Sequence, residues 1–204
     1  MIAVIDYKAG NAPSVLRAVE RLGRAAAPAR RPRDLAGASR VILPGVGSAA
    51  ATMESLAAMD MIGPLEEAVL HRKTPFLGIC VGLQILFGHS EEGDVPCLGW
   101  LKGRVVRFDA SRVRVPQMGW NRVRFTPGVL GGVPEGFFYF VNSYHAMPED
   151  ESDRWGVADY GGPFTAAVRR ENIYATQFHV EKSGETGLAL LDAFLRPGKE
   201  GGPC

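Results

Sequence analysis

The chain has 204 residues, 46% hydrophobic and 22% charged, the make-up of a single globular domain with a sizeable core. Its 23 basic side chains nearly cancel its 22 acidic ones, and the formal charge of +1 gives no global pull toward nucleic acid or a membrane surface. Three cysteines, Cys80, Cys97 and Cys204, are too few for a disulfide framework, and none forms a Cys-x-x-Cys metal pair.

Apolar runs reach only about six residues against the ~20 that a membrane helix needs. Met1–Asp6 lacks the basic region of a secretory leader. The expectation is a cytoplasmic protein with no metal, no cofactor and no nucleic-acid or membrane partner.

In chain order, Ile2–Asp6 reads as a strand and Gly10-Asn11 as a turn. Val15, Leu16, Val19 and Leu22 form the apolar face of a helix that stops at Gly23. The Arg-rich stretch Arg21–Arg40 reads as a solvated helix end and loop. Val41–Leu43 is a second strand, closed by Pro44-Gly45. Met53, Leu56, Met59 and Met61 mark one helix and Leu65–Leu70 another. Pro75–Ile79 is a buried strand, and Leu83, Ile85, Leu86 and Phe87 open a helix behind it. Strands alternating with helices predict right-handed crossovers and a mostly parallel sheet.

Beyond about Leu98 the pattern changes. Val105–Phe108, Val123–Phe125, Phe137–Val141, Thr165–Val168 and Tyr174–Phe178 read as strands separated by Gly/Pro turns too short for helices. Leu188–Leu195 is a closing helix and 197–204 a frayed tail. No repeat or linker divides the chain, so one domain over 1–196 is expected, with both halves on one sheet.

The most informative segment is Gly78-Ile-Cys-Val-Gly82, with a strand before it and a helix expected after it. A sharp strand-to-helix turn pushes its central side chain into the open and needs glycines where a Cβ would collide. The first turn of the helix favours thiolate over thiol, and its free N–H groups can hold an oxyanion. Read alone, Cys80 is as consistent with a small buried hydrophobe as with a nucleophile.

A nucleophilic cysteine needs a base, and there are four histidines. His71 reads as a solvated helix residue, His89 as a surface or C-terminal residue at a helix end, and His145 follows a strand end where it could border a site. His179 ends an apolar strand, with Glu181 two residues on. In extended chain, residues i and i+2 share a face, so one strand end presents both side chains together. Glu181 can then fix the tautomer and orientation of the imidazole.

Gly78-Ile-Cys-Val-Gly-Leu-Gln84 together with Gln177-Phe-His-Val-Glu181 resembles the class I (triad) glutamine amidotransferases. Four more blocks narrow the resemblance to the glutaminase subunits of imidazole glycerol phosphate synthase. They are Asp6–Asn11, Pro44-Gly-Val-Gly47, Pro116-Gln-Met-Gly-Trp-Asn121 and Tyr139–Tyr144, and Glu181-Lys-Ser183 extends the acid. The resemblance runs from Ile2 to about Leu195. Two positions depart from that family's habit: Val180 stands where proline is usual, and Gln117 where histidine is usual.

The resemblance implies a Rossmann-like α/β amidotransferase domain, a central mixed β-sheet flanked by helices. It implies Cys80 as nucleophile, His179 as base and Glu181 as the acid that steadies it. Val81 N–H and the Gly47 region are the oxyanion donors expected. Gln84, Glu92, Ser143 and Tyr144 match positions that hold the substrate glutamine, and Trp120 and Lys182 match positions at a subunit interface. The implied partner is a (β/α)8-barrel cyclase that receives the ammonia in a heterodimer. Two other readings stay open here: another class I amidotransferase, serving anthranilate, guanylate or pyridoxal phosphate synthesis, or a non-catalytic regulator of the same fold.

Overall fold

The computed structural model describes residues 1–8, 11–131, 133 and 135–196. The turn expected at Gly10 and the tail 197–204, with Cys204, lie outside the described residues.

The first half runs β1 (Ile2–Ile5), α1 (Ala12–Arg21), β2 (Ala26–Ala29), β3 (Arg40–Gly45), α2 (Ala49–Ala58), α3 (Ile62–Glu66), β4 (Phe76–Cys80) and α4 (Val81–Gln84). A π-helical turn, Glu67–His71, continues α3. The second half is strand-rich. It runs β5 (His89–Ser90), β6 (Val95–Pro96), β7 (Gly103–Arg107), β8 (Gln117–Phe125), β9 (Gly136–Asn142), β10 (Tyr144–Pro148), β11 (Arg154–Asp159), β12 (Pro163–Arg170) and β13 (Ile173–Thr176), and α5 (Gly184–Leu195) follows.

Among the described residues, the thirteen strands form one sheet whose main path is β2-β1-β3-β4-β13-β12-β10-β7-β5-β6, with β11, β8 and β9 branching from β12. From β2 to β13 every pairing is parallel. Strands buried on both faces must be apolar throughout, and Val4, Ile5, Ile42, Leu43, Phe76 and Leu77 are all fully buried. At β13 the sheet changes character: it pairs parallel with β4 and antiparallel with β12. The last residues of β3 and β4 are level, Gly45 beside Cys80, and Ile79 lies beside Thr176 at the end of β13. Open α/β sheets bind ligands outside the carboxyl ends of such strands.

Three expectations are corrected. Arg21–Arg40 is not only loop: Ala26–Ala29 pairs with β1 as an edge strand, where Pro28 can sit because its missing N–H faces away from the ladder. The helix expected from Leu83 to Phe87 lasts one turn. The carbonyls of Ile85, Leu86 and Phe87 accept instead from the N–H groups of Leu98, Leu101 and Gly99, at 2.9, 2.9 and 3.0 Å. All of Leu83–Phe87 is buried, so the run has no polar face to present as a surface helix would. His89 lies in strand β5, its Nε2 2.9 Å from Asp94 Oδ1, and not at a helix end.

Candidate active site

Cys80 ends β4 at φ 57° and ψ −107°, a conformation that costs a non-glycine residue ~1–3 kcal/mol. Glycines on either side hold it there. A Cβ on Gly78 would strike the carbonyl oxygen of Gly82, and a Cβ on Gly82 would strike that of Leu43. One on Gly45, level with Cys80 in the ladder, would lie 2.7 Å from Val81 Cβ. The turn brings main-chain segments closer than any side chain permits.

Opposite the thiol stands His179, delivered by a device other than strand alternation. β13 stops at Thr176, and Val180–Lys182 is a single 3-10 turn with His179 extended before it (φ −86°, ψ 101°). Ser183 clamps this turn: its Oγ donates to His179 O at 2.6 Å and accepts from Tyr139 N at 2.9 Å. The tight turn brings His179 Nδ1 to 2.8 Å from Glu181 Oε1. The expected pair is present, and the geometry that makes it is helical.

The Glu181 carboxylate is wholly shielded from solvent. Asn11 Nδ2 donates to the same Oε1 at 2.5 Å, while Oε2 is buried with no partner among the described residues. Burial works against a charged His179, but hydrogen bonds to Cys80 and Glu181, and the charges of both, outweigh it and push its pKa up to about 10. With Nδ1–H directed at the carboxylate, Nε2 is the atom left for the thiol.

A cavity of about 300 Å³ opens over Cys80. Gln84 is 3% exposed on its wall; its Nε2 donates to Tyr144 O at 3.2 Å, and its Oε1 has no partner among the described residues. Glu92 is half-buried, with Oε2 accepting from Ala49 N at 3.1 Å. Burial raises its pKa, and the Ala49 N–H opposes that rise. Val81, Gly47, Ser143, Tyr144 and exposed Lys182 complete the expected lining.

The chain matches the family described as glutamine amidotransferase class-I over residues 3–196. The chain belongs to that family. Its relatives narrow the family further. It is 47% identical over 194 residues to imidazole glycerol phosphate synthase subunit HisH of Herpetosiphon aurantiacus, covering 94% of this chain and 91% of that one. It is 46% identical to the same subunit of Dechloromonas aromatica, covering 95% of each. It is 43% identical to the chloroplastic imidazole glycerol phosphate synthase hisHF of Arabidopsis thaliana, covering 97% of this chain but 34% of that longer protein. A crystal structure of a glutamine amidotransferase shares the fold, with a TM-score of 0.76 at 20% identity over 95% of this chain and 96% of that one.

In this amidotransferase, the structure brings together every expected residue except Trp120. That side chain is 57% exposed on β8, edge-on to Tyr139 with ring centroids 5.9 Å apart. His71 is exposed, and His145 stacks on Phe108 at 4.6 Å, away from the thiol's partners. Of the two departures, Val180 is buried inside the 3-10 turn and leaves the His179–Glu181 contact intact. Gln117 is buried opposite Asn142, each with an unpartnered carbonyl oxygen. Two residues at the site went unassigned in the sequence, Asn11 and Gln177. Both sit inside blocks that carried the resemblance, yet no local pattern shows what a lone amide will touch.

Proposed function

We propose that Cys80, His179 and Glu181 are the catalytic triad of a glutaminase, the ammonia-supplying subunit of imidazole glycerol phosphate synthase. The observation that carries this reading is the strained Cys80 elbow, set against an imidazole that Glu181 holds at 2.8 Å. The family and its HisH relatives supply the context.

His179 Nε2 takes the thiol proton, and the Cys80 thiolate adds to the side-chain amide carbon of glutamine. The tetrahedral oxyanion takes hydrogen bonds from Val81 N–H and from the Gly47 region. The imidazolium gives its proton to the departing nitrogen, so that ammonia leaves and a glutamyl thioester remains. Water, deprotonated by His179, then hydrolyses the thioester to glutamate and restores the thiol. Gln84 Oε1 and Glu92 are acceptors suited to the amino group of glutamine. Ser143 and Tyr144 hold the carboxylate end.

Ammonia released into water is protonated and lost to a synthase, so the reading includes a receiving partner, the (β/α)8-barrel cyclase. Exposed Trp120, with Met118 and Phe137 on the same hairpin, and Lys182 beside the cavity form the face offered to it. The Arabidopsis relative, in which this chain matches about a third of a longer synthase, fits such a pairing. The cyclase would use the ammonia to make imidazole glycerol phosphate and an aminoimidazole carboxamide ribotide, a step of histidine biosynthesis. The reading treats 1–196 as one domain followed by a short tail. It places the chain in the cytoplasm, where a thiol nucleophile stays reduced. Among the described residues, no helix is long and apolar enough to cross a membrane.

The test separates the two halves of the reaction. Cys80→Ala should abolish glutamine hydrolysis, and its complex with the cyclase should still form product from ammonium salt. A complex that ammonium fails to rescue overturns the division of labour.

A further inference from the structure

Gln177 lies between β13 and His179 and is completely buried. Its backbone N–H is fixed to Ala166 O at 2.8 Å, so its side chain leaves a rigid strand end. That side chain makes two contacts. Its Oε1 accepts from Gln84 Nε2 at 3.1 Å, and its Nε2 lies 3.7 Å from Cys80 Sγ.

A lone carboxamide could sit either way round, but this one cannot. The series starts at the carbonyl oxygen of Tyr144, which only accepts. Gln84 must therefore turn its NH2 toward Tyr144, at 3.2 Å, and the same NH2 meets Gln177. Gln177 must answer with its oxygen, which leaves its NH2 for the sulfur. The other oxygen of the series, Gln84 Oε1, is left buried, with no partner among the described residues, in a side chain that lines the cavity. One main-chain carbonyl thus sets the polarity at both ends: a donor behind the nucleophile and an acceptor on the substrate wall.

We propose that Gln177 is a positioning residue for glutamine hydrolysis: it steadies the Cys80 thiolate from behind and locks the Gln84 amide with its oxygen available to substrate. The inference rests on the reading of Cys80 as the nucleophile. A flipped Gln177 would present an oxygen to a thiolate, and a flipped Gln84 would present an NH2 to the ammonium of glutamine. Both arrangements are repulsive. Among the described residues, the other titratable groups around the thiol are His179 with its partner Glu181, from the turn after β13, Tyr7, which follows β1, and Glu92, Tyr144 and Lys182, which line the same cavity. None is altered in the variants below.

The test reads the thiol directly, in the full chain and without glutamine. Iodoacetamide modification of Cys80 is followed against pH in the parent, in Gln177→Met and in Gln177→Glu. Methionine keeps the length of the side chain and removes the donor. Glutamate keeps the shape and sets an acceptor against the sulfur. The pH midpoint of modification should rise by about one unit in Gln177→Met and further in Gln177→Glu. The KM for glutamine should rise several-fold in Gln177→Met, because Gln84 loses its orienting partner. A midpoint unchanged in both folded variants overturns the proposal.

Should the variants not fold, the parent decides. The Gln177 side-chain NH2 resonance should move as Cys80 ionises and stay fixed over the same pH range in Cys80→Ala. A resonance indifferent to Cys80 overturns the proposal. If Cys80 in the parent reacts no faster than Cys97, the nucleophile reading falls and this proposal with it. A reactive Cys80 that ignores Gln177 removes this proposal alone.

Discussion

The regions around Cys80 and Cys97 bury the same functional group and surround it with opposite neighbours. Cys97 follows β6, and the only hydrogen bond of its thiol among the described residues is to Val95 O at 3.7 Å. Burial pushes its thiol up to about 11, so it stays protonated at neutral pH. Cys80 is the more deeply buried of the two, at 5% exposure, but it has an imidazole in front, an amide donor behind and a main chain bent to present it. Desolvation by itself silences a thiol. A cysteine becomes usable when the groups around it favour its charge.

The sharpest way to break this contrast is to remove the sulfur of each in turn. Cys80→Ala should end glutamine turnover, whereas Cys97→Ser should leave it within about a few-fold of the parent. Comparable losses in the two variants, measured as glutamate released, would show that the wrong cysteine was chosen.

Next in size is the bend itself. Gly82→Ala places a methyl against the Leu43 carbonyl, where nothing flexible can yield, so activity should vanish and Tm should fall sharply. Gly47→Ala offers the matching control. Beyond its chain neighbours, no heavy atom of the described residues lies within 4 Å of its Cβ position, but its φ of +93° penalises any side chain by ~1 kcal/mol. This variant should fold normally and change the stimulation of activity by the liganded cyclase more than it changes KM. A shift in KM alone would make the loop a fixed wall.

A smaller loss is expected from Asn11→Ala, which removes one of the two donors to Glu181 Oε1. A hydrogen bond to a buried carboxylate contributes about 1.5–3 kcal/mol, so kcat should fall at least about tenfold with KM little changed. Steady-state kinetics would show it, and a change confined to KM would assign Asn11 to the substrate instead.

The mildest expectation concerns pH. The folded-state pKa of His179 is raised from 6.5 to about 10, so the proton it holds favours the native state. The contribution of His179 to stability is complete below about 6.5 and is lost as pH climbs toward about 10. In Glu181→Gln that decline in Tm across the window should flatten; an unaltered slope would separate Glu181 from the charge on His179.

Much of this was legible in the chain. The glycines around Cys80 announced the elbow because a bend of that kind has few solutions. The apolar runs at Val41–Leu43 and Phe76–Ile79 could hardly be anything but central parallel strands. What escaped depended on distant neighbours. Ala26–Ala29 has no strand character of its own and becomes a strand because β1 offers it a ladder. Leu83–Phe87 looks like a helix until Leu98–Leu101 takes its carbonyls. The His179–Glu181 pair was expected for the wrong local reason, since i and i+2 also meet in a 3-10 turn clamped by Ser183. Gln117 retains a buried oxygen with no partner, and nothing in the structure explains why glutamine stands there.

The place of β13 in the sheet bears on when the enzyme becomes an enzyme. Among the described residues it is the last strand in chain order, yet it sits beside β4 near the middle of the sheet. Cys80 and Gln177 are 97 residues apart in the chain. At about 5–20 residues per second, a ribosome needs very roughly 5–20 seconds to make that stretch. During this interval Cys80 has neither His179 nor Gln177 beside it, and the edge of β4 that will pair with β13 is open, a liability for aggregation. A chain truncated before Ile173 would leave that edge open permanently and would hydrolyse no glutamine. Insertion of β13 joins β4 to β12 and brings Gln177 and His179 to Cys80 in one event, so on the proposed role of Cys80 an unfinished subunit spends no substrate.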